Sequence, residues 1–269
     1  MSLPPSVTSV GAACAHILLT ADPQAKLMAA RAVARAWRLG RLAHRFDAVM
    51  PDRPARPDAP ILLSPAHMPR RGKIGSERAR IAMLHALAHI EFVAIDLAFD
   101  LIGRFGDQFP PDFTSEWMKV GADEAMHFAL LDRRLRQLGS HYGALPAHDG
   151  LWQAAEETAG DALARLAIVP MVLEARALDI TPATVERFEG AGDMASGKML
   201  RRIVDDEIRH VAAGTNWFVW ATKRMGVESP KYYQMLVKRH FRGSVKPPFN
   251  DSARRQAGLT EEFYAALAT

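Results

Sequence analysis

Apolar residues return at the helical period through four long stretches of the chain, and each stretch is bounded by turn-forming residues. Ser76 followed by Glu77 opens the first, which runs to about Arg104 and places Leu84, Leu87, Ala88, Ile95 and Ala98 on one face. The segment GDQFPPDF breaks it. A second helix is predicted from about Thr114 to Leu138, with Trp117, Val120, Leu131 and Leu135 facing inward. After GSHYGALPAHDG a third is predicted from about Leu151 to Leu178, and a fourth spans roughly Ala195 to Arg224. Thr181-Pro182 reads as a cap with proline at the first helical position, starting a short helix that ends at GAGD. Smaller helices are expected at 229–241 and 260–268, and no stretch alternates as a strand would.

The proline-rich segment 51–76 has no helical period and reads as an extended arm laid over the helices. The expectation is therefore an all-α protein in three parts: an N-terminal helix and arm (1–74), a four-helix bundle (75–225) and a short helical extension (226–269), forming one structural unit.

Acids interrupt each apolar stripe. Glu91 shares the inward face of the first helix, Glu124 and His127 that of the second, Glu174 that of the third, and Glu207 and His210 that of the fourth. Any one of them could be a structural ion pair. Four buried carboxylates need a common explanation, because an isolated buried charge costs several kcal/mol. Glu91 and Glu124 are 33 residues apart, as are Glu174 and Glu207. Each second member is followed by histidine three residues on, which puts Glu and His on one helical face. The midpoints fall in the Gly106–Asp107 break and at Gly190-Ala191-Gly192, so two antiparallel hairpins would bring each pair level, about 24 Å from its turn at 1.5 Å per residue. The residues between Glu124 and Glu174 suffice for a long crossover between hairpins, as in ferritin-like bundles.

One Glu from each of two helices and Glu-x-x-His from each of two others is the ligand set of di-iron and di-manganese carboxylate bundles. The expected metal ligands are thus Glu91, Glu124, His127, Glu174, Glu207 and His210, holding two iron ions, or alternatively manganese or a mixed pair. Four carboxylates offset two divalent ions with both imidazoles neutral, and hard oxygen with imidazole suits iron or manganese. The histidines are preceded by aspartates, in Asp123-Glu124-x-x-His127 and in Asp206-Glu207-Ile208-Arg209-His210. Carboxylates commonly orient metal-bound histidines. Asp206 is expected to hold His127 and Asp123 to hold His210, with Arg209 beside them; the alternative is that they are helix-surface acids.

The stretches HALAHIEFVAIDLAFDLIGRF, VGADEAMHFALLDRRLRQLG, IVPMVLEARALDITP, DDEIRHVAAGTNWF and PPFNDSARRQAGL resemble a bacterial ferritin-like domain family of unknown function. The chain is also distantly similar, in its di-metal pattern and fold, to the di-iron tRNA hydroxylase that oxidises an isopentenyl-adenosine side chain. The resemblance implies that arm, bundle and tail form one unit; it supplies no substrate.

Other residues leave choices open. His85 and His89 lie off the Glu91 face and are either a second metal site or packed histidines. Pro170, one turn before Glu174, should kink the helix or open it. Gly121 and Gly214 either leave a pocket or let helices approach closely. Phe92, Phe128, Trp217 and Phe218 read as core, and Arg176 with Asp179 as an i, i+3 pair. None of the four tyrosines lies on a ligand helix, which argues against a stable tyrosyl radical.

Composition changes the picture little. Hydrophobic residues at 49% and charged residues at 24% exclude a disordered or fibrous chain. A single cysteine, Cys14, excludes an internal disulfide and cysteine-built metal clusters, and fits a reducing cytoplasm. No unbroken apolar run exceeds Leu166 to Leu173, so no membrane span is expected. Basic residues crowd the two ends of the chain and read either as solvated helix faces or as a nucleic-acid surface. The functional expectation is an oxygen-activating di-iron oxidoreductase. Its partners would be dioxygen, an external electron donor and a small-molecule or tRNA-borne substrate, with an oligomer left open. The rival readings are an iron-handling protein without organic substrate, a tRNA-modifying hydroxylase and a di-manganese peroxide-removing enzyme.

Overall fold

The computed structural model describes residues 3–68 and 75–268. Among these the chain is helical, with three isolated β-bridges and no strand. The helices group into two compact units, Met1–Trp152 and Gln153–Thr269.

In the first unit, two N-terminal helices form where one was expected. Ser9 caps α1 (Val10–Leu18), accepting from the Ala12 amide, and Val10, Ala13, Cys14, Ile17 and Leu18 are wholly buried. That apolar stretch is a core helix packed on α3 (Glu77–Phe105). Asp22 caps α2 (Pro23–Arg38), with Pro23 in the first turn. Leu27, Ala30 and Val33 turn inward at helical spacing, while Arg31, Arg35 and Arg38 point to solvent.

Helix α3 is capped by Ser76, whose hydroxyl accepts from the Ala79 amide. A 3-10 turn at Gly106–Gln108 and the Pro110-Pro111 step reverse the chain into α4 (Pro111–Gln137), which packs along α3. By length and hydropathy α3 is the one helix among the described residues that could cross a membrane. Its apolar length exceeds that of the Leu166–Leu173 run because few charges interrupt it. Two-thirds of its most apolar window (67%) is buried inside the protein, as a core helix requires.

The arm up to residue 68 straps this unit, and its expected remainder at 69–74 lies outside the described residues. The Ala55 amide donates to the Leu18 carbonyl, and the Leu63 amide to the Ala147 carbonyl at 2.8 Å. Arg104 on α3 reaches the Pro51 carbonyl at 2.6 Å. Beneath the arm, Asp96 of α3 is fully buried and pairs with both Lys26 and Arg56.

The second unit departs most from expectation. The third long helix is broken: α5 (Gly150–Glu156) ends in turns, and Asp161 caps a fresh start, accepting from the Leu163 and Ala164 amides. Buried Arg165 seals the break by donating to the Ala155 carbonyl and the Thr158 hydroxyl. From there α6 (Ala162–Ile168), a π-helical segment (Val169–Glu174) and α7 (Ala175–Gly190) run without interruption. Pro182 therefore lies inside a helix, not at the start of one. The amide it lacks would have bonded the Leu178 carbonyl, and Asn250 Nδ2 occupies that carbonyl instead at 3.2 Å.

Helix α8 (Met194–Met225) is capped by Asp193 and stopped by Gly226 in the left-handed region. It packs along α7 and on the π segment. Helices α9 (Ser229–His240), α10 (Asp251–Gln256) and α11 (Glu261–Tyr264) complete the unit, α10 being an addition to the expected pair.

Candidate metal centre

Each unit carries three of the six expected ligands. In the first, packing of α4 on α3 brings Glu91, Glu124 and His127 together. Their exposures are 6%, 1% and 0%, and each offers a ligand atom within 4.8 Å of the others. His127 presents Nδ1, which lies 3.2 Å from Glu91 Oε2 and 3.5 Å from Glu124 Oε2. Donors about 2.1 Å from a shared ion stand roughly 3.0–3.5 Å from one another, so this spacing fits a common cation. Two carboxylates held this close in a buried place repel each other, and either a proton or a cation must offset them. This buried Glu/His cluster can hold a metal ion.

In the second unit α8 repeats the arrangement. Glu207 and His210 are buried, and His210 again presents Nδ1, here 3.6 Å from Glu207 Oε1. Glu174, half-buried, is the last residue of the π segment. Pro170 has thus opened the helix into a wider turn immediately before a candidate ligand. Single π turns inside α-helices are frequent at functional sites.

The two glycines near the ligands serve close packing. A Cβ at Gly214 would fall 2.5 Å from the Pro170 ring, so α8 can lie against the π segment only without one. A Cβ at Gly121 would fall 2.6 Å from the Phe99 ring, which fixes the spacing of α3 and α4.

Asp206 is buried and pairs with Arg209 one turn on along the same helix; Asp123 is half-buried. His85 is a packed histidine. Its Nε2 accepts from the Gly143 amide at 2.9 Å, and its ring stacks on Tyr142. Burial, and secondarily the charge of His141, hold its pKa down at about 4. His89 meets the Tyr142 hydroxyl through Nδ1 at 2.9 Å. Burial first, then nearby cations led by Arg56, lower its pKa to about 3.

Tyr142 is a neighbour of the site that the sequence pattern does not mark. It comes from the loop after α4 and lays its ring against Phe92 and Phe128, the neighbours in sequence of Glu91 and His127. No local pattern marks it. The buried Lys26–Asp96–Arg56 group carries a weaker signal, since Asp96 interrupts the apolar run of α3 in the same way as Glu91. Phe92, Phe128 and Phe218 are core as expected, and Trp217 is half-exposed.

Residues 19–265 match the family described as protein of unknown function (DUF455). The chain belongs to that family. An uncharacterised protein of Haemophilus influenzae is 38% identical over 213 residues, covering 77% of this chain and 74% of its own. Neither match carries a ferritin-like or tRNA-hydroxylase description. No solved structure matches the chain.

Proposed function

We propose that the two three-residue sets act together as a dinuclear metal centre in a ferritin-like bundle. On this reading the protein is a non-haem di-iron oxidoreductase that uses dioxygen to oxidise or hydroxylate an organic substrate. The observation that carries it is the convergence of Glu91, Glu124 and His127 through a histidine Nδ1, repeated by Glu207 and His210 at the same i, i+3 interval. The equal 33-residue spacing of the two Glu pairs supports a duplicated hairpin, and the π turn gives Glu174 a place in the second set.

Glu91 and Glu174 supply one carboxylate from each hairpin, and Glu124-His127 and Glu207-His210 supply the rest. When bound, two ferrous ions supply electrons for the reduction of dioxygen. The chain's own part would be to supply carboxylate oxygens from Glu91, Glu124, Glu174 and Glu207 and imidazole nitrogens from His127 and His210. It also keeps bulk water from the donors within each unit: Glu91, Glu124 and His127 are buried between α3 and α4, and Glu207 and His210 are buried on α8. Asp123 and Asp206, each beside a candidate ligand glutamate, would serve to orient the imidazoles when metal is bound, and Arg209 pairs with Asp206. The electrons would have to come from an external donor.

The test is anaerobic loading with ferrous ion followed by measured dioxygen uptake. The expectation is rapid uptake in fixed proportion to bound iron, lost in Glu124→Ala. Uptake no faster than that of free ferrous ion, with iron fully bound, would overturn the oxidase reading while leaving the metal site standing.

A further inference from the structure

A cavity of about 170 Å³ lies within the second unit, and none of the six candidate ligands lines it. One wall is the π segment itself, through Met171, Val172 and Leu173. Tyr233 of α9 and Phe241 and Phe249 of the loop that follows add aromatic lining. The lining is therefore mostly apolar, and the volume is roughly ten times what a single water needs. The volume is enough for a small organic molecule.

The polar groups around the cavity share one sign. Arg176, Lys246 and Arg254 contribute to its lining and no carboxylate does. Arg254 is committed: it grips Asp179 with Nε and Nη2 at 2.8 and 2.7 Å, and Asp179 offsets its charge. Arg176 is only partly committed. Its described hydrogen bonds all leave from Nη1, to the Lys246 and Pro248 carbonyls at 2.6 and 3.1 Å and to Asp179 at 3.4 Å. Those bonds fix the guanidinium at the cavity, with Nε and Nη2 left to donate. Lys246 and Ser244, both exposed, line the same cavity and bring a cation and a hydroxyl to that segment. Three cations against one buried aspartate leave two positive charges beside an apolar hollow.

From this arrangement we propose that the cavity binds a small amphipathic anion: a compact apolar body held by Met171, Val172 and Phe249, with a carboxylate or phosphate head on Arg176 and Lys246. The assignment does not depend on the metal reading. If both hold, the ligand rests on the segment whose last residue is Glu174, where it is placed to serve as substrate or as a regulator of that ligand's position.

The test is calorimetric titration of metal-stripped, full-length protein with hexanoate, hexyl phosphate and 1-hexanol. The expected result is saturable binding of an anion, one per chain and roughly tenfold or more tighter than the alcohol. The tighter of the two anions identifies the head group. Lys246→Gln, at an exposed side chain with no hydrogen bond or ion pair among the described residues, should weaken binding several-fold. Ser244→Trp should abolish it by filling the rim, and Glu174→Ala should leave it intact. Arg176→Gln should weaken it further, but it also frees the 246–248 carbonyls, so Lys246→Gln is the deciding variant. No saturable binding by either anion, hexanol binding as tightly as hexanoate, or unchanged affinity in both Lys246→Gln and Ser244→Trp would each overturn the proposal. Failure of the metal centre would show instead as absent metal with anion binding preserved.

Discussion

Gly214→Ala probes how tightly the π segment is fitted to α8. In an exposed helix, replacing glycine by alanine gains about 1 kcal/mol. Here the added Cβ would stand 2.5 Å from Cβ and Cγ of Pro170. Ordinary carbon–carbon contact is about 3.5 Å, so the proline ring and the backbone carrying it must retreat by about 1 Å. Overfilling a packed contact of this kind costs about 1–3 kcal/mol. The net expectation is a loss of about 0–2 kcal/mol, or a fall in melting temperature of about 2–4 °C per kcal/mol lost. Gly197→Ala is the matched control on the same helix. Its Cβ would meet Cγ of Glu189 at 2.6 Å, and that side chain can move aside by giving up its surface pair with Arg201, a small cost, so most of the helical gain should survive. Scanning calorimetry on metal-free protein compares the two. Because Pro170 is one turn from Glu174, Gly214→Ala should also release iron faster. A Gly214→Ala protein as stable as Gly197→Ala, with unchanged iron retention, would refute the close fit.

Three further outcomes are expected. Asp96→Asn leaves the buried Lys26 ammonium and Arg56 without their shared counter-charge, which should cost about 3–5 kcal/mol in urea unfolding; a loss below 1 kcal/mol would show the group to be dispensable. Below pH 6.5 the unfolded chain protonates His85 while the folded chain, with this pKa near 4, does not. Stability should therefore fall as pH drops from 6.5 to 4, by at most about 1.4 kcal/mol per unit from this residue. His85→Gln, whose side-chain carbonyl can still accept from the Gly143 amide, should flatten that part of the profile. Asn250→Ala removes both the cap of α10 and the partner of the Leu178 carbonyl, and should cost about 2–4 kcal/mol by the same unfolding assay.

What could be read from the chain beforehand was whatever has a local cause. Ser76 before Glu77 and the proline pair at 110–111 mark helix ends by capping and missing amides, and α3, α4 and α8 lie within about three residues of the expected bounds. Glu91, Glu124 and His127 were legible because acids interrupting an apolar stripe at i, i+3 share a face whatever else the fold does. The misread places depend on partners far away in sequence. Pro182 sits inside α7 because Asn250 takes the carbonyl it orphans, a contact spanning 72 residues. Pro170 gives a π turn and not a simple kink because Gly214 makes room for its ring. The break at 157–161 did carry a local signal, Gly160-Asp161 as a stop and a new cap, but the strong apolar period on either side masked it. Tyr142 had none, since only the tertiary path of its loop brings it onto Phe92 and Phe128.

The central claim is that two metal ions are held by the Glu and His residues of a duplicated hairpin. Anaerobic equilibrium dialysis against ferrous ion, with bound metal counted per chain by elemental analysis, tests it most directly. The account predicts two ions per chain in the parent, and a large loss in both His127→Ala and His210→Ala with folding unchanged by circular dichroism. One ion per chain, lost in His127→Ala and retained in full by His210→Ala, would contradict the dinuclear centre. No ion above background would contradict the site altogether.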